Sequence, residues 1–122
     1  MIKIEGKIKP GKQQGRRLGF PTINIVIPKQ IKSEQWGIYF SLVRINDRVY
    51  PGITHLGPVK TFSLGRKTCE THLLVASQDW YGQQVTKRLL FKFRDIEKFP
   101  NIKLLRKQIR RDVKAAKKFF GL

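Results

Sequence analysis

Ile102, Leu105, Ile109, Val113, Ala116 and Phe120 recur at spacings of three and four, the period of a helix that buries one face. Upstream the period is two. Ile2, Ile4 and Ile8 alternate with Lys3, Glu5, Lys7 and Lys9, as in a half-buried strand. Several short strands followed by one amphipathic helix can bury their apolar faces as a small antiparallel barrel with the helix packed on it. At 122 residues the chain can build one hydrophobic core and not two. We therefore expect a single domain over residues 1–122, barrel about 1–99 and helix about 101–120.

Punctuation residues divide the strands. Gly6 interrupts the first, where a bulge or a close backbone approach is expected. Residues 10–19 (PGKQQGRRLG) read as a loop, Phe20 to Ile27 as a strand stopped by Pro28, and Asn46-Asp47 as the turn of a hairpin. Residues 58–67 form a second basic loop. A strand is expected over 71–76, a turn at Asp79-Trp80-Tyr81-Gly82, and a further strand with Val85, Leu89, Phe91 and Phe93 on one face. Pro100-Asn101 opens the helix. Its polar face is expected to carry Lys103, Arg106, Lys107, Arg110, Arg111, Lys114, Lys117 and Lys118 with the single acid Asp112, and Phe119 and Phe120 to pack.

Charge narrows the partners. With 26 Lys and Arg against 8 Asp and Glu, the formal net charge is +18, which attracts polyanions such as nucleic acid, anionic membrane or phosphorylated small molecules. One cysteine, Cys69, cannot form an internal disulfide, which favours a reducing setting. The beginning MIKIEGKIK lacks the apolar run of a signal peptide, and no stretch has the roughly 20 apolar residues of a membrane span. The expected setting is the cytoplasm, without membrane attachment, and the expected state a monomer.

Few residues can do chemistry. One cysteine and two histidines, His55 and His72, argue against a zinc site. No nucleophile-elbow motif supports a serine triad. Glu70 and His72, two apart on a strand, share a face, either as a solvent-facing pair or as an acid–base couple. Thr22 and Asn24 likewise share a face. A hydroxyl and an amide oxygen are poor Mg²⁺ ligands alone but sensible ones when nucleotide phosphates complete the shell. The preceding glycines, with Lys12, Arg16 and Arg17, could let backbone N–H groups reach a phosphate, although this is no Walker A sequence. A plain loop and strand would look the same.

Gly6-x-Ile-x-x-Gly11-x-x-x-Gly15-Arg16-x-Leu18-Gly19-Phe20-Pro21-Thr22-x-Asn24 resembles the N-terminal signature of riboflavin kinases. Gly37-Ile38-Tyr39, Tyr50-x-Gly52-Ile53, Glu70-Thr71-His72-Leu73, Tyr81-Gly82, the segment from Arg94 to Phe99, and Gln108-Ile109 with Asp112 resemble later family motifs, in order. The resemblance implies a six-stranded antiparallel Greek-key barrel with a C-terminal helix. It further implies transfer of the ATP γ-phosphoryl to the ribityl 5′-hydroxyl of riboflavin, giving FMN. By the same resemblance Thr22 and Asn24 would bind Mg²⁺ with the nucleotide, and Glu70 would be the catalytic base. Gly11, Lys12, Gly15, Arg16, Gly19 and Pro21 would cover the phosphates; Arg94, Phe99 and Trp80 would face the flavin. The chain departs from the family pattern at Ile23, His55, Lys60 and Ile96, the last standing where a glutamate is usual. FAD synthesis is not expected of this chain.

Two other readings stay in play. The charge and the basic helix suit a nucleic-acid-binding module on the same barrel, although a helix without interleaved exposed aromatics would not favour single-strand recognition. Ile96 allows a degenerate kinase that only binds flavin or nucleotide.

Overall fold

A computed structural model describes residues 1–9, 22–59, 67–75 and 80–122. They form strands β1 (Ile2–Lys7), β2 (Thr22–Ile25), β3 (Gly37–Ile45), β4 (Arg48–Pro58), β5 (Lys67–Leu73) and β6 (Gln84–Arg94), then helix α1 (Ile102–Phe119), with a 3-10 turn at Ser33–Gln35 before β3. All strand pairs are antiparallel and the order across the sheet is β1-β6-β3-β4-β5-β2. The run β6-β3-β4-β5 is a Greek key, three consecutive strands with the fourth returning beside the first. The sheet rolls until its edges touch beyond β1, where the Lys9 N–H donates to the Asn24 carbonyl at 2.8 Å.

Local chemistry explains the joints. Asn46, at φ 56°, and Asp47 make the two-residue turn between β3 and β4, a conformation asparagine tolerates. The Asn101 side chain caps α1 by accepting from the Leu104 N–H at 2.9 Å. Gly121, at φ 73°, ends it, with the Leu122 N–H returning to the Lys117 carbonyl at 2.7 Å.

The inward face of the sheet forms one core, with Ile4, Ile25, Val43, Ile45, Leu56, Cys69, Val85 and Leu89 all nearly sealed from solvent. Polar groups enter it in pairs. Thr54 and Thr71, directly opposite on β4 and β5, join hydroxyls at 2.7 Å. Lys87 is 0 % exposed, and its ammonium donates to the carbonyls of Ile23 at 2.7 Å and Cys69 at 2.9 Å. The second core lies outside the sheet, where Ile38, Phe40 and Ile53 meet Ala116 of α1, flanked by Val113 and Phe120.

Several sequence expectations move. Gly6 makes no bulge: β1 pairs with β6 in unbroken register, and Ile25 lies 3.4 Å from where a Cβ on Gly6 would sit. The fifth strand starts at Lys67 instead of Thr71, because residues 67–69 continue the ladder along Pro58, Gly57 and Leu56 of β4. Register shifts between Ile38/Tyr39 and Phe40/Ser41, opposite the end of β6, break its alternation. Val85 and Leu89 therefore belong to the inner core, whereas Phe91 and Phe93 pack against Phe40 outside. Asp112 was expected on the polar face of α1 but is 3 % exposed. Arg94, projecting from the sheet beneath the helix, draws it in.

Candidate active site

Directly opposed residues of antiparallel strands share a face, so the register can be followed across the outside of the sheet. Asn24 on β2 stands opposite Glu70 on β5, and Glu70 opposite His55 on β4. His55 stands opposite Ile38 on β3, which faces Arg94 on β6. The next row begins with Thr22 opposite His72. Thr22, Asn24, Glu70 and Arg94, widely separated in the chain, thus project from one outer surface, with α1 covering the β3–β4 part of it.

Asn24 is 8 % exposed, and its Oδ1 is buried with no hydrogen-bond partner among the described residues. An amide oxygen left in that state costs about 1–3 kcal/mol, and a ligand would satisfy it. Among the described residues, no three His, Cys, Asp or Glu side chains gather to hold a metal. Neutral oxygens such as those of Asn24 and Thr22, on one face of β2, suit a cation only when phosphate oxygens complete its shell. The Glu70 carboxylate, half-buried, stands one strand away, opposite Asn24.

His55 is a further group in this row, one that the resemblance to riboflavin kinases assigns no role. Burial lowers its pKa from 6.5 to about 4, and the positive charge of Arg94 pushes the same way. The imidazole is neutral at physiological pH. Lys87 is the second group missed. Ile23 lies between Thr22 and Asn24, and Cys69 precedes Glu70, so the two carbonyls held by Lys87 belong to the two strands that carry the site. Its signal was legible: Lys87 shares the parity of Val85 and Leu89 on an inward face.

Arg94 is engaged with the helix. Its Nε and Nη2 donate to the Asp112 carboxylate at 3.0 and 2.7 Å, Nη1 donates to the Asp95 carbonyl at 3.0 Å, and Gln108 adds a bond to Asp112 at 2.9 Å. The guanidinium lies 6.0 Å from the centre of the Phe99 ring. Trp80 is not brought to this group. It is 6 % exposed in the inner core against Tyr50, before the start of β6, whereas Arg94 ends that strand. Ile96 packs with the outer core beneath α1. Gly11, Lys12, Gly15, Arg16, Gly19 and Pro21 lie outside the described residues.

The family model for flavokinase, described as riboflavin kinase, matches residues 1–120. The chain belongs to the riboflavin kinase family. Among curated relatives, a bifunctional riboflavin kinase/FMN adenylyltransferase of Escherichia coli is 32% identical over 98% of this chain and 38% of its own length. An RNA-binding riboflavin kinase of Bacillus subtilis is 34% identical over 100% of this chain and 53% of its own. This riboflavin kinase family member thus spans about half or less of the curated relatives it matches. Among solved structures, one titled a macrolide-efflux protein from Streptococcus pneumoniae superposes with a TM-score of 0.79 at 28% identity, over 94% of this chain and 38% of that one. Riboflavin kinase from Trypanosoma brucei superposes at 0.64 with 24% identity, over 98% and 79%, a likeness of fold.

Proposed function

We propose that this chain phosphorylates riboflavin, transferring the γ-phosphoryl group of ATP to the ribityl 5′-hydroxyl and releasing FMN and ADP. The observation that carries the reading is the register opposing Asn24 to Glu70, with the Asn24 amide oxygen left for a ligand. Thr22 and Asn24 hold the cation that accompanies the nucleotide. Mg²⁺, when bound there, would offset phosphate charge, the main demand of phosphoryl transfer apart from positioning. Glu70 accepts the proton of the 5′-hydroxyl as its oxygen bonds to the γ-phosphorus and the bond to the β,γ-bridging oxygen breaks. The flavin lies toward Phe99 and α1, with Arg94 holding the helix in place through Asp112 as a positioning residue.

No helix among the described residues is long and apolar enough to cross a membrane, in keeping with action on soluble substrates in the cytoplasm. The deciding experiment incubates purified protein with riboflavin and MgATP or MgCTP and follows FMN by chromatography. FMN formation is the expected result. Its absence with every nucleotide and metal combination would remove the assignment and leave the binding-only reading.

A further inference from the structure

Helix α1 carries a surface that phosphoryl transfer does not use. Lys103, Lys107, Arg111, Lys114 and Lys118 follow one another at steps of four or three, and all are exposed. Such residues lie on one stripe, roughly 22 Å long at 1.5 Å per residue. The one acid of the helix, Asp112, is buried and bonded to Arg94, so nothing on α1 offsets the stripe. Neighbouring like charges repel within a helix, and a polyanion would relieve that repulsion.

Beside the end of the stripe lies an aromatic platform. Phe119, expected to pack beside Phe120, is instead 51 % exposed, and Phe91 is 50 % exposed. Their rings lie nearly parallel, at 14°, with centroids 6.1 Å apart, and Phe40 supports them from below. Beyond the rings the outer face continues with exposed Arg88 on β6 and Arg44 on β3.

We propose that α1 and the adjoining outer face of β6 bind single-stranded nucleic acid, the stripe tracking phosphates and the Phe91–Phe119 platform stacking an unpaired base. Base stacking on aromatic rings beside a positive track is how single strands are held without sequence preference. A duplex keeps its base faces covered and cannot use the platform. An anionic membrane fits less well, because the apolar side of α1 is committed to the sheet through Ala116, Val113 and Phe120. This inference does not rest on the kinase reading.

Fluorescence anisotropy of the full chain with labelled oligouridine, oligothymidine and a duplex tests it across a salt series. Binding to either single strand should weaken steeply with salt, with a log–log slope of roughly −3.5 if five phosphates are contacted. Phe119→Ala, and separately Phe91→Ala, should each weaken binding about 5- to 100-fold without changing that slope. Arg111→Gln with Lys114→Gln should make the slope shallower by about 1.4. Thermal melts establish that each variant is folded. Four results would each overturn the proposal: no oligonucleotide binding, duplex bound as tightly as single strands, no loss in either folded phenylalanine variant, or oligonucleotide displaced by riboflavin. Association with phosphatidylserine vesicles but with no oligonucleotide would assign the surface to a membrane instead.

Discussion

Lys87 Nζ donates to the Ile23 carbonyl at 2.7 Å from the opposite side of the core, and through it one lysine reaches the backbone that presents Thr22 and Asn24. The same ammonium holds Cys69, next to Glu70. Lys87→Met leaves two buried carbonyls without this donor while removing the cost of burying an ammonium, so the two effects oppose. We expect a cooperative fold with kcat reduced tenfold or more, because small misplacements of reacting groups are costly, of order 10²-fold per ångström. Burial lowers the Lys87 pKa from 10.5, so the unfolded chain holds this proton more firmly. The contribution of Lys87 to stability therefore rises as pH climbs toward 10.5. Melts of both proteins across the alkaline range check the sign.

In the proposed mechanism Glu70→Gln removes the proton acceptor and keeps the shape. kcat for FMN formation should fall about 10²- to 10⁴-fold, while MgATP affinity measured by calorimetry stays close to that of the parent.

Asn24→Ala should separate function from stability. The amide oxygen makes no hydrogen bond among the described residues, so the melting temperature should hold or rise. Affinity for the metal–nucleotide complex should drop roughly tenfold or more, the scale seen when groups supporting a metal are removed. Binding of Mn²⁺ with ATP, followed by electron paramagnetic resonance, reads this without turnover.

Asp112→Asn leaves the Arg94 charge facing a neutral partner beneath α1, where the Asp112 side chain is 4 % exposed. Breaking a buried pair from one side costs about 3–5 kcal/mol, measurable by urea denaturation. Replacing both partners with apolar residues of similar size should recover most of that loss.

His55 sets an acid limit. Its folded pKa of about 4 lies below the ordinary 6.5, so between these values the unfolded chain binds more protons and stability falls as pH falls. The loss reaches at most about 3 kcal/mol near pH 4. His55→Asn should flatten the melting-temperature profile between pH 6.5 and 4.

Strand parity, turn residues and the helical period made most of this fold legible. They placed the Asn46-Asp47 hairpin and α1 within a residue or two. The resemblance to riboflavin kinases then brought Thr22, Asn24 and Glu70 to one site, and the register of β2 on β5 is consistent with that. Parity failed along β6, because its register shifts turn Phe91 and Phe93 away from Val85's side. Nothing local announces such a shift. The helical period failed at Asp112, since charge alone assigns an acid to water and only the tertiary position of Arg94 draws it in. Trp80 marks a third limit: a large aromatic beside a turn can serve a ligand or the core, and here the core has it.

The strand order carries a consequence for synthesis on the ribosome. Among the described strands β1 pairs only with β6, so the earliest of the six along the chain must wait for the last before it gains its ladder. The hairpin of β3 and β4 can form locally, with β5 joining next, but the core around Ile4 and Leu89 cannot shut until residue 94 has cleared the exit tunnel. Pairings this distant in sequence fold slowly, leaving the edge of β1 open during elongation and exposed to the wrong partners. Its alternating charges, Lys3, Glu5 and Lys7, keep that waiting strand soluble.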